Sequence, residues 1–148
     1  MTPRQLLVIE DGNEYSEFAR LFLQPDFVVH QATSAASTLA MLSDLRMDAL
    51  LIDMRFDRAP VDALIGDVTD TAARLFGGSQ ARAVRYLQDQ QGILILAALR
   101  ARGHSQPAVF IHDFPARRLA NLQKLYGLVR AVPTFDAAAI RLALKVTE

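Results

Sequence analysis

Two kinds of apolar run alternate along the chain. Short continuous runs occur at Gln5-Leu6-Leu7-Val8-Ile9, at Ala49-Leu50-Leu51-Ile52-Asp53 and at Pro107-Ala108-Val109-Phe110-Ile111-His112, with a fourth, less continuous one from Leu128 to Val132. Runs that lack polar alternation have no solvent face, so they read as strands buried on both sides of a sheet. Phe27 to Ala32 alternates more and includes His30 and Gln31, which suits a strand at a sheet edge. Between these runs lie striped segments of helical period. Glu14 to Leu23 carries Phe18, Leu21 and Phe22 behind an acidic first turn and is closed by Pro25. Thr33 or Ser34 caps a second helix that runs to about Leu45 with Leu39 and Leu42 inward. Pro115 to Leu125, ended by Gly127, and a last helix from Pro133-Thr134 through Leu144 complete the series. Strands alternating with helices predict an α/β domain whose parallel sheet is covered on both faces.

Residues 54 to 106 depart from this rhythm. A loop and one helix would suffice there, yet the pattern supplies three helical pieces. Val61 to Phe76 carries a stripe of Val61, Leu64, Ile65, Val68, Ala72, Leu75 and Phe76, which predicts one helix. Gly77-Gly78 stops it, and Ser79 caps a second through Ala81, Val84 and Leu87. Gly92 marks a kink or a break before the apolar helix that ends at Gly103. That last helix is the ordinary cover of the sheet, so the extra material is about 57–91 within a single domain spanning 1–148.

Composition narrows the classes. The 148 residues suffice for one core. Without cysteine, disulfides and thiolate metal sites are excluded. Sixteen basic residues balance 16 acidic ones, so no overall charge draws the chain to nucleic acid or an anionic membrane. No apolar run approaches the roughly 18 residues of a membrane span, and the start lacks a signal peptide's apolar core. The expected address is cytoplasmic.

The candidate chemistry sits at strand ends. Glu10 and Asp11 end the first strand and Asp53 ends the third. In an open parallel sheet the carboxyl edge is where ligands bind. Three converging carboxylates repel one another, and a Mg²⁺ ion with oxygen ligands relieves that repulsion. This acidic pair, the lone Asp53 and the passage from Gly92 through Gly103 into the strand after Pro107 resemble the receiver domain of bacterial two-component response regulators. The resemblance implies a flavodoxin-like (CheY-like) five-stranded sheet in the order 2-1-3-4-5; it does not cover 57–91, which reads as a helical insertion after strand three. It implies that Asp53 is the phospho-acceptor, that Glu10, Asp11, Asp53 and the main-chain carbonyl of Arg55 hold Mg²⁺, and that a histidine kinase or phosphotransfer protein is the donor. The chain is then a signalling protein and not an enzyme. A phosphatase with an Asp nucleophile is disfavoured because Asp53-Met54-Arg55 lacks a second Asp two residues on.

Three positions depart from the receiver pattern. The hydroxyl residue expected after strand four is His112, the lysine expected after strand five is Val132, and the aromatic three residues before it is Val129. Arg130 is the nearest cation and shares the strand face of Val132. A protonated His112 could donate to phosphate, whereas a neutral one would bond to a neighbouring loop. The alternative function is therefore a pseudo-receiver that is not phosphorylated and acts as an interaction or dimerisation module. The insertion, with Arg74, Arg82 and Arg85, folds over its own domain or offers a dimer or partner surface, the sheet-flanking helices being the other candidate face for a homodimer. Arg55 and Arg58 either reach a phosphoryl group or pair with Asp57 and Asp62. The chain ends at Glu148 soon after the last helix, so it is a stand-alone regulator or a fragment of a longer protein.

Overall fold

The computed structural model describes residues 2–145. Its centre is a parallel five-stranded sheet of β1 (Arg4–Ile9), β2 (Phe27–Ala32), β3 (Ala49–Ile52), β4 (Ala108–Ile111) and β5 (Val129–Val132), in the order β2-β1-β3-β4-β5. β2 is an edge strand, as its mixed pattern predicts. In the continuous runs successive side chains bury on opposite faces. Leu7, Ile9, Leu50, Ile52 and Phe110 join one core layer, while Leu6, Val8, Leu51, Val109 and Ile111 join the other. The first layer is closed by α2 (Ala35–Asp44), α4 (Gln80–Ala101) and α5 (Ala116–Tyr126), the second by α1 (Glu14–Phe22) and α6 (Ala137–Lys145). Of the two candidate caps of α2, Ser34 is the one used: its hydroxyl accepts from Ser37 N while Ser37 Oγ accepts from Ser34 N. Among the described residues no helix is long and apolar enough to cross a membrane.

Three expectations need correction. The single helix over 61–76 is instead a 3₁₀ turn (Val61–Ala63) followed by α3 (Val68–Leu75). Gly66 has φ +117°, which helical geometry does not allow, and Asp67 starts α3 by accepting a hydrogen bond from Asp70 N. The apolar stripe is real but serves two purposes, because Leu64 and Ile65 pack on the core from a non-helical stretch. On α1 the buried face is Ser16 and Ala19, leading to buried Leu23, whereas Leu21 is 74% and Phe22 52% exposed. Gly92 does not break the assigned helix: α4 runs 22 residues through it. Its ladder is nonetheless opened from outside. Gly92 N donates to Met54 O (3.0 Å) and Gln88 O accepts from Phe56 N (2.9 Å), so the segment after β3 is bonded to two groups that an undisturbed helix pairs with each other.

The 61–67 segment is held from the same helix. Buried Gln91 accepts from Ile65 N (2.7 Å) and donates to Ile65 O (3.2 Å) and to Leu87 O (3.1 Å). Replacing it by alanine leaves Ile65 N and O without these partners. Gln91→Ala is therefore expected to cost about 2 kcal/mol in urea unfolding. Faster amide exchange at Ile65 is expected as well, and unchanged protection there would show that the clamp is not what orders the segment.

Candidate functional site

Parallel pairing brings the acids together. Ile9 is in register with Ile52, Asp53 N donates to Ile9 O (2.9 Å) and Glu10 N to Ala32 O (3.1 Å), so the ends of β1 and β3 lie side by side. Asp11 and Asp53 line one cavity of about 240 Å³ at this edge. The segment after β3 supplies a wall of it through Asp57 and Arg58, and the α1 side supplies Glu14 and Tyr15.

The three acids have different fates. Asp11 is held by main chain, its Oδ2 accepting from Arg58 N (2.6 Å) and Ala59 N (3.2 Å). Asp53 Oδ1 accepts from Arg55 N (3.3 Å). Burial pushes the Asp53 carboxyl up to about 6; Asp11 and Glu10 add to the rise, against the Arg55 N–H and the neighbouring Tyr15 hydroxyl, which favour the charged form. Glu10, only 1% exposed, turns to the start of α1. Its Oε1 accepts from Tyr15 N (3.0 Å) and its Oε2 from Ser16 N (2.8 Å) and Gln31 Nε2 (3.4 Å). A carboxylate on the first amides of a helix satisfies donors that have no intrahelical partner. The extra methylene of Glu relative to Asp supplies that reach.

Among the described residues no three His, Cys, Asp or Glu side chains are arranged to hold a metal ion. What the cavity retains is the pair Asp11 and Asp53. Two carboxylates fit Mg²⁺, which is usually held by one or two such groups and keeps several waters.

None of the expected readout positions lines this cavity. His112 N donates to Val132 O (3.0 Å), and its ring packs edge-on against Phe114 at 4.5 Å. Burial, with Arg118 nearby, lowers the imidazole below its ordinary value, so the neutral form prevails at neutral pH. Val129 and Val132 are buried, in opposite core layers. Arg130 donates to the carbonyl of Val129 (3.2 Å). Arg55 and Arg58 do not pair with Asp57 and Asp62. Arg55 bridges to Asp89 on α4 (3.0 Å), and Arg58 to Glu14 on α1 (2.9 Å), each reaching the acid its backbone position faces. That second pair holds the Glu14 carboxyl below its usual range.

Two cavity residues carry no mark in the apolar pattern. Tyr15 donates its hydroxyl to Ile111 O (3.3 Å), and Phe135 stands edge-on to it at 5.2 Å, against Phe18 at 5.0 Å. Burial and the surrounding carboxylates, Asp53 foremost, raise the Tyr15 phenol well above its ordinary value. Tyr15 lies three residues before Phe18, a spacing that places it on the same helix face and one turn nearer the sheet edge.

With this geometry in place, solved structures supply the decisive likeness. The receiver domain of the Francisella response regulator 1452 superposes with a TM-score of 0.63 at 12% identity, covering 95% of this chain and 93% of that one. The fold is that of a response-regulator receiver. The chemotaxis response regulator CheY4 of Vibrio cholerae gives the same TM-score at 15% identity, covering 97% of this chain and 98% of its own. A sensor protein from Polaromonas sp. JS666 matches at 18% identity and TM-score 0.63, covering 97% and 94%. Neither a protein-family model nor a curated protein matches the sequence. The likeness to receivers is thus one of architecture, and it places the cavity at the receiver sheet's carboxyl edge.

Proposed function

We propose that the chain is a signal-receiving domain that takes a phosphoryl group onto Asp53 from the phosphohistidine of a histidine kinase or phosphotransfer protein. The observation that carries this reading is the convergence of Asp53 and Asp11 on one cavity at the carboxyl edge of a receiver-like sheet. Asp53 is the nucleophile. With a pKa near 6 its carboxylate is ionised at neutral pH and more basic than an ordinary one. Arg55 N–H steadies one oxygen. A carboxylate oxygen forms a bond to phosphorus as the P–N bond of the donor breaks, and the electron pair leaves with the imidazole. Asp11, Asp53 and the carbonyl of Arg55 would hold Mg²⁺, which when bound neutralises the carboxylates and the phosphoryl oxygens. Asp11 is kept in place by the amides of Arg58 and Ala59. Glu10 would act at one remove, by fixing the start of α1.

Incubation with Mg²⁺ and acetyl phosphate, followed by intact mass, tests the proposal. Wild type is expected to gain one phosphoryl group and Asp53→Asn none. No gain in wild type, or a gain that survives Asp53→Asn, would overturn it. A second reading, an interaction module that is not phosphorylated, has its own support in the exposed apolar side chains Leu21 and Phe22 on α1 and Leu142 on α6. It predicts an unmodified wild type in the same experiment.

A further inference from the structure

A phosphoryl group on Asp53 would need donors, and the described residues offer few. His112 is packed on Phe114, Val132 is apolar and buried, Arg130 is bonded to Val129 O and Arg55 to Asp89. The donors that line the cavity with Asp53 are the Tyr15 hydroxyl, from α1, and the Arg58 guanidinium, from the segment after β3. Arg58 is already paired with Glu14, both groups being largely exposed. Tyr15 is committed more weakly. Its hydroxyl reaches Ile111 O at 3.3 Å, beyond the usual 2.5–3.0 Å range of about 2.7 Å for O–H···O bonds, and its acceptor is uncharged.

We propose that Tyr15 is the positioning hydroxyl of this site, giving up Ile111 O to donate to an oxygen of the phosphoryl group on Asp53, and that its ring passes the change to Phe135. This rests on Asp53 being the acceptor. A hydrogen bond to an anionic oxygen is roughly twice as strong as one to a neutral carbonyl, so the exchange runs toward the phosphoryl group. No covalent step is involved, since the phenol proton stays on its oxygen. The ring of Tyr15 meets Phe135 edge-on at 5.2 Å with an interplanar angle of 79°, so movement of one ring requires the other to adjust. Phe135 is 47% exposed and precedes α6. The adjustment therefore reaches the surface between β5 and α6.

Beryllofluoride with Mg²⁺, a non-covalent mimic of a phosphorylated carboxylate, tests this in wild type and Tyr15→Phe, which removes only the hydroxyl. Binding is followed by fluorine NMR. Tyrosine fluorescence reports separately, because the chain has three tyrosines and no tryptophan. Wild type is expected to bind with a change in tyrosine emission. Tyr15→Phe is expected to bind about tenfold more weakly, as loss of one hydrogen bond to a charged group implies, with that emission change gone. Equal affinity in the two proteins, or an emission change that persists in the variant, would overturn the role of Tyr15 and leave Asp53 as acceptor standing. If wild type itself does not bind the mimic, the acceptor reading fails, and the role of Tyr15 with it.

Discussion

Gly92→Ala is expected to lower stability by about 3 kcal/mol or more, although alanine is favoured over glycine inside a helix by about 1 kcal/mol. A Cβ at this position would stand 2.3 Å from the carbonyl oxygen of Asp53, 2.9 Å from Met54 Cα and 3.1 Å from the Asp53 carbonyl carbon. All three are main-chain atoms and cannot rotate away. Relief requires α4 to lift from the sheet or the end of β3 to retreat. Either movement breaks the bonds Gly92 N to Met54 O and Phe56 N to Gln88 O, each worth about 0.5–1.5 kcal/mol. Urea unfolding of the variant measures the loss, and stability equal to or above wild type would show that the close approach is not a constraint. Because the closest approach is to Asp53 O, the variant should also take up phosphoryl group from acetyl phosphate more slowly than its loss of folded protein accounts for.

Gly92 also shows where the sequence was legible and where it was not. The five strands and the five helices that cover them follow from apolar runs and stripes, because burial of a sheet on both faces leaves a local record in each segment. Gly92 signals that something unusual happens at its position, but not what. A glycine in a helical pattern reads as a kink until the chain that crosses it is known, and that chain is Asp53-Met54, nearly forty residues earlier in the sequence. The 61–76 stripe misleads for a related reason. Ala72 is buried and Leu64 and Ile65 are partly so, yet Gly66 redirects the chain between them, and a hydrophobic period records which residues are covered without recording the path that connects them. At the site, Asp11 and Asp53 are found by their order at strand ends. Glu10 lies where the same order predicts, but its carboxylate has gone to the amides of Tyr15 and Ser16. That choice depends on where α1 begins in space. Tyr15 and Phe135 come from different ends of the chain and meet only in the fold.

Asp53→Asn is expected to stabilise the fold at pH 7.5 by about 1–2 kcal/mol while abolishing phosphoryl acceptance. The carboxyl stands near 6 in the folded protein against 3.8 as its ordinary value, chiefly because burial disfavours its charge, with Asp11 adding repulsion. One pKa unit corresponds to about 1.36 kcal/mol, and the partial solvation of the side chain discounts the full difference to this range. The sign follows from proton binding. Above pH 6 the group is ionised in both folded and unfolded chains, and the folded state bears the cost of the buried charge. Between about pH 6 and pH 4 the folded state takes up the proton first, which favours folding. The advantage of asparagine over wild type should therefore be largest at neutral pH and shrink toward zero near pH 4, as measured by urea unfolding of both proteins across that range. Mg²⁺ at neutral pH should narrow the same gap, since a cation between Asp11 and Asp53 offsets the repulsion that asparagine removes. A gap that is constant with pH, or a variant less stable than wild type at pH 7.5, would mean that the charge of Asp53 is not held at a cost, and that the site is not kept reactive at the expense of the fold.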